Sequence, residues 1–258
     1  MDNSNKKNFT IKKALFNPDD KNFFDNSQSL DLEIINSWNL EKGMKIHIEQ
    51  GYLKDSLRNE KDNKIYFGYQ KDLDKNGVKP FIDYILPPRA GSEFDEKFIG
   101  IHFRIKFDDN KYYIKDLGAG FGTFIKLDNE MKINNNSLIN IGETFLVFTY
   151  IEDKIKNLLI KVFTGNEIVQ NYEYNEDKEI ILIGRGKDND IIIDDKMISR
   201  NQCYLKYDTE KNIWLIYDGD TNGNTSTNET WLYAMDDQLI YDEMMFKSNH
   251  NLFKCHYY

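Results

Sequence analysis

Five arginines stand among the 258 residues: Arg58, Arg89, Arg104, Arg185 and Arg200. Both in the second half sit in short turn-like stretches, Gly184-Arg185-Gly186 and Ile198-Ser199-Arg200-Asn201-Gln202. A third stretch, Ser226-Thr227-Asn228-Glu229-Thr230-Trp231-Leu232, adds hydroxyls and a carboxamide. A guanidinium offers a planar fork of donors that suits an oxyanion bidentately. Hydroxyls and backbone amides can complete the shell. Such groups on separate loops can grip a dianion when a rigid scaffold brings the loops together. The plain alternative is that both arginines are solvated loop charges.

Other chemistry is thin. No zinc-binding His-Glu-x-x-His, nucleophile elbow or phosphate-loop lysine occurs. His47, His102, His250 and His256 have no clear nucleophile and acid partner in sequence, and each reads as a surface or core histidine. Gly118-Ala119-Gly120-Phe121-Gly122 lies between predicted strands with no Lys-Ser/Thr after it, so it is a glycine turn. Asp194-Asp195 and Asp236-Asp237 read as solvated turn charges. One rival stands at the third stretch: Asp218, Asp220, Asn222, Gly223 and Glu229 match the ligand and glycine spacing of a twelve-residue calcium loop. The residues before it, Ile213 to Tyr217, alternate like a strand where a calcium loop needs a helix.

The elements that must position these loops are short strands. Met44 to Glu49, Lys64 to Gly68, His102 to Phe107, Tyr112 to Leu117, Thr123 to Leu127 and Phe145 to Tyr150 alternate apolar and polar residues in the first half. Leu158 to Phe163, Ile180 to Ile183, Ile191 to Ile193, Gln202 to Tyr207, Ile213 to Tyr217 and Thr230 to Tyr233 do so in the second. Polar turns such as Asp108-Asp109-Asn110 join them. The halves also echo each other: His102 to Gly118 has the layout of Gln202 to Gly219, and Thr123-Phe124 answers Thr230-Trp231. A duplicated β-sandwich accounts for this, with a seam near Asp153-Lys154. The expected division is an N-terminal extension over 1–40, one sandwich over 41–153 and a second over 154–258. The extension holds an apolar patch, Phe9 to Phe16, a loop-like Asn17-Pro18-Asp19-Asp20, and an apolar set from Leu30 to Trp38 that could pack on the next domain.

The order Gly-Arg, then Ser with a structural residue three positions on, then Ser-Thr-Asn-x-Thr before a strand resembles the forkhead-associated (FHA) domain. Asn189-Asp190-Ile191-Ile192-Ile193 between the first two motifs fits as well. The resemblance implies an all-β fold of two FHA-like sandwiches in tandem. It also implies a binding module for phosphothreonine, not an enzyme. By this resemblance Arg185 and Ser199 contact the phosphate, Arg200 and Thr227 the phosphate or the flanking peptide, and Asn228 the peptide backbone. Charge-assisted bonds of ~1.5–3 kcal/mol each, less ordering costs, give an affinity on the order of micromolar. Two positions depart from the pattern: Gln202 replaces a bracing histidine, and Glu229 replaces a turn glycine. Glu229 could strain the turn or push a carboxylate toward the phosphate. The first half keeps the layout but reads Tyr69, Ile99 and Ala119 to Gly122 at the site positions, so it is expected to be degenerate and structural.

The totals bound the partners. Net charge is -9, which argues against nucleic acid. No apolar run reaches the ~20 residues of a membrane span, and the polar Met1 to Lys13 lacks a signal core. Cys203 and Cys255 read as reduced thiols of an intracellular protein, cytoplasmic or nuclear. No cofactor and no metal are expected. The expected partner is a phosphothreonine-containing protein, with the chain acting as adaptor or scaffold. The alternative is a phosphate-independent structural subunit of a large multiprotein assembly.

Overall fold

The computed structural model describes residues 29–258 except 72, 74–76, 89–94, 153, 166 and 176. Phe9 to Phe16 and Asn17 to Asp20, the first features of the expected extension, lie outside the described residues. From Ser29 the described residues are a succession of strands with one 3-10 turn at Asp95–Phe98. No described helix is long and apolar enough to cross a membrane.

In chain order the first strands are β1 (Ser29–Asn36), β2 (Lys45–Glu49), β3 (Tyr52–Leu53), β4 (Lys64–Tyr69), β5 (Tyr84–Ile85), β6 (Gly100–Asp108), β7 (Lys111–Asp116) and β8 (Thr123–Lys126). There follow β9 (Met131–Ile133), β10 (Ser137–Ile141), β11 (Thr144–Ile151), β12 (Lys154–Thr164), β13 (Glu167–Tyr174), β14 (Ile180–Gly184) and β15 (Ile191–Ile192). The last are β16 (Cys203–Asp208), β17 (Ile213–Asp218), β18 (Trp231–Tyr233), β19 (Gln238–Leu239), β20 (Met245–Ser248) and β21 (Asn251–Tyr257). Local sequence explains them. In β7 the buried side chains Tyr112, Ile114 and Asp116 alternate with half-buried Lys111, Tyr113 and Lys115, the period of a strand with one covered face. The β6–β7 hairpin turns on Asp109 and Asn110, both at positive φ (49° and 57°). Asp and Asn tolerate that conformation best among residues with a side chain, and a two-residue hairpin needs it twice.

The strands form one sheet of eleven, β13-β12-β11-β10-β18-β8-β20-β21-β1-β2-β3, and two sheets of five. The five-stranded sheets, β19-β7-β6-β4-β5 and β15-β14-β16-β17-β9, cover its two halves. Two cores result. Leu32, Phe67, Phe103, Phe246 and Phe253 anchor one, and Phe148, Ile160, Ile183, Leu205 and Trp214 the other. Burying each such side chain stabilises by about 1.5–3 kcal/mol.

The division between sandwiches departs from the expected one in two ways. Leu30, Leu32 and Ile34 of β1 belong to the first core, so this part of the expected extension is a strand of the first sandwich. The seam near 153–154 instead falls at a hairpin inside one sandwich: β11 and β12 pair from Thr144↔Thr164 to Tyr150↔Leu158, and both feed the second core. The closing strands are exchanged. β9 to β11 follow the first repeat in sequence, yet β9 pairs with β17 (Ile133↔Trp214) and Ile139, Ile141 and Phe148 fill the second core. Reciprocally, β19 pairs with β7 (Gln238↔Ile114), and Ile240, Phe246 and Phe253 fill the first. β8 and β18 lie side by side where the halves meet. Their partners Ile125 and Leu232 point into different cores. The physical reason is the repeat itself: each copy's closing strands have the apolar alternation that either copy's opening strands accept.

Candidate functional site

Three loops converge at one end of the second sandwich. They are 185–190 between β14 and β15, 193–202 between β15 and β16, and 219–230 between β17 and β18. The first two are zipped by backbone. Arg185 N–H donates to Ser199 O (3.1 Å), Gly186 N–H to Arg200 O (3.0 Å), and Asn189 Nδ2 to Arg200 O (2.6 Å). A Cβ on Gly184 would lie 2.3 Å from Arg200 O, so only glycine lets these strands meet so closely.

Gln202, 1% exposed, joins the second loop to the third. Its Oε1 accepts Ser199 N–H (2.9 Å); its Nε2 lies within donating distance of Ser226 Oγ (2.9 Å), Glu229 O (3.0 Å) and Thr230 Oγ1 (3.2 Å). The glutamine thus braces the serine loop, as the resemblance asks of a histidine at this position. Asp218 completes the frame, accepting from Ser226 N–H, Ser226 Oγ and Thr230 Oγ1 at 2.9, 2.7 and 2.6 Å. Two further links close the rim. Thr227 N–H donates to Ser199 Oγ (2.9 Å), and Asn228 Nδ2 donates to Met197 O.

The cations stand apart from this network. Arg185 and Arg200 are exposed, and neither guanidinium makes an ion pair or hydrogen bond among the described residues. Arg58 and Arg104, by contrast, hold carboxylates at 3.0 Å (Asp83) and 2.9 Å (Asp237). Ser199 Oγ is held as an acceptor by Thr227, which leaves its proton available to donate outward. The backbone bonds bring Arg185, Ser199, Arg200 and Thr227 to one rim, with Asn228 beside them. One N–H of Asn228 Nδ2 is engaged within the protein, and Oδ1 makes no hydrogen bond among the described residues.

Glu229 sits at φ 60°, in the left-handed region that costs a non-glycine residue roughly 1–2 kcal/mol. Its carboxylate pairs with Lys126 Nζ at 2.8 Å. Lys126 belongs to β8, and no spacing in the sequence marks the pairing. The calcium-type pattern is a turn here. The segment before it is strand β17, Asp218 is spent on Ser226 and Thr230, and Asp220 accepts from Asn222 N–H, Asn224 N–H and Asn224 Nδ2.

The matching end of the first sandwich is built differently. His102, buried, contacts Phe98 O through Nε2 (2.7 Å) and Asn249 Nδ2 through Nδ1 (2.8 Å). That geometry selects the tautomer with the proton on Nε2. Burial pushes its pKa down, which keeps the ring neutral. Rings cover this end: Trp38 stacks on His250 at 3.7 Å, and Phe98 meets Phe121 edge-on at 5.1 Å.

The FHA domain family matches residues 79–142 and 181–247, just over half of the chain. The chain belongs to the FHA family. Its two matches are the tandem repeat, and FHA domains are generally phosphopeptide-binding interaction modules without catalytic activity. The matched segments run in sequence across the exchange: the first ends just after β10 and the second in β20. Each set of closing strands belongs to one FHA repeat by sequence and to the other sandwich by packing. No curated protein matches the chain.

Proposed function

We propose that this FHA protein is an adaptor or scaffold that docks phosphothreonine-containing proteins through its second sandwich. The observation that carries the reading is a pair of exposed arginines, Arg185 and Arg200, whose guanidinium groups have no partner among the described residues and whose loops are bonded together at Ser199. The Ser199 side chain is oriented by Thr227 N–H at 2.9 Å. A phosphothreonine brings about -1.5 to -2 charges and three acceptor oxygens, which two forks and a hydroxyl satisfy. Arg185 and Ser199 hold the phosphate. Arg200 and Thr227 reach the phosphate or the adjoining peptide, and Asn228 Oδ1 takes a peptide N–H. Gln202 supports the reading because it supplies the bracing bonds, and Glu229 is compatible because its charge is neutralised by Lys126.

The first sandwich, with Tyr69 and Ile99 at the positions of Arg185 and Ser199, is a scaffold in this account. Its half-exposed Trp38 and Phe121 favour a protein contact that needs no phosphate, the role a subunit of a larger assembly has. The protein works inside the cell, on targets marked by a threonine kinase. A phosphothreonine peptide library screened beside its unphosphorylated twin tests the proposal: enrichment only in the phosphorylated set is expected, and equal retention of both sets contradicts it.

A further inference from the structure

A groove of about 510 Å³ opens beside the phosphate loops and shares Ser226 and Thr227 with them. Tyr204 of β16 and Tyr217 of β17 stand opposite each other in register, their rings stacked at 4.7 Å and 3° from parallel. They line the groove together with Glu130. Glu130 lies in the segment between β8 and β9, where the chain crosses from the first sandwich to the second. Burial, and after it the charge of Glu130, raises both phenol pKa values, Tyr217 to about 12.

The other carboxylates here already have work. Asp218 and Asp220 hold their own loop, and Glu229 holds Lys126, which also lies 3.7 Å from Asp128. Glu130 makes no ion pair or hydrogen bond among the described residues, although it is only half exposed. A half-buried carboxylate in a groove lined by aromatic rings is best satisfied by a cation that can stack and donate at once. Guanidinium does both, being planar, weakly hydrated and forked. An apolar side chain would bury Glu130 without a partner, and an acidic one would be repelled.

We propose that this groove takes an arginine side chain of the docked phosphopeptide, so that the protein selects phosphothreonine sites in a basic context. The proposal rests on the phosphothreonine reading above. Continuity places the occupant, since a peptide anchored at Arg185 and Ser199 passes Thr227 before it can leave the loops. A few residues at ~3.3 Å each reach the tyrosines.

The experiment is fluorescence anisotropy on the full chain. Phosphothreonine peptides carry Arg or Glu at each of the four positions on either side, and the readout is the Arg-to-Glu affinity ratio. At one position the ratio is expected to be about tenfold or more, as for one charge-assisted contact. In Glu130→Arg it should fall to one or below, and in Glu130→Gln it should fall severalfold. A ratio near one at every position, or one unchanged in both variants, overturns the subsite while phosphate-dependent binding stands. Absence of binding to every phosphorylated peptide overturns both readings.

Discussion

The carboxylate of Glu229 and the ammonium of Lys126 meet at 2.8 Å across the junction of the two sandwiches. Glu229 belongs to the 219–230 loop of the second, and Lys126 ends a strand whose Ile125 packs in the first. The pair neutralises a negative charge on that loop, and in the proposed function the first sandwich thereby contributes to the second one's electrostatics. Lys126→Met is expected to weaken phosphopeptide binding severalfold, and Lys126→Met with Glu229→Gly to restore it. Binding by the single variant that equals the wild type removes this role.

Gln202 is the next dependency. Gln202→Leu keeps the volume and leaves Ser199 N–H without its acceptor and Ser226, Thr230 and Glu229 O without a donor. The expected loss is roughly 2–4 kcal/mol of stability by urea unfolding, as for buried polar groups left unpaired. Gln202→His, the side chain the family pattern uses here, should recover most of it.

Lys247 carries a pH dependence. Its Nζ donates to Asn140 Oδ1 at 2.8 Å and lies 4.5 Å from the Trp231 ring and 5.4 Å from Phe124. Burial pushes its pKa down to about 8. The unfolded chain therefore binds more protons at this site between about pH 8 and the ordinary lysine value near 10.4. Its contribution to stability rises with pH across that window, and below about pH 8 the full penalty for the buried charge is present. Unfolding free energies of wild type and Lys247→Met should converge, or cross in favour of the wild type, between pH 7 and 9.5. Thiols and phenols cancel in the difference, so a constant gap contradicts the assignment.

Strand exchange makes a prediction for fragments. A piece cut at 154–258 lacks β9, β10 and β11, which supply Ile133, Ile139, Leu146 and Phe148 to the second core. It is expected to be unfolded by circular dichroism and by amide dispersion. A piece spanning 127–233 holds every strand of that core and should fold. The opposite outcome would restore a division at the seam near 153.

Much of this was legible in the residues. Alternation in segments such as Lys111 to Asp116 marked strands, and the echo of His102 to Gly118 in Gln202 to Gly219 marked the duplication. Arg185, Ser199 and Thr227 stood out because the order of the three loop motifs that hold them resembles the FHA pattern. The exchange was not legible. Ser137 to Ile141 and Met245 to Ser248 are both short strands with apolar residues facing a core, and alternation says which face is covered but not by which partner. The direction of Glu229 was equally hidden, because Lys126 is over a hundred residues away in sequence and is brought close only by the pairing of Trp231 with Lys126.

The central claim is that Arg185 binds phosphate at a preformed rim. Isothermal titration of one phosphothreonine peptide into wild type and Arg185→Ala, with thermal melts of both, tests it most directly. The account predicts micromolar binding to the wild type, none to its unphosphorylated twin, and a loss of tenfold or more in Arg185→Ala at an unchanged melting temperature. Equal affinity in wild type and variant would contradict it.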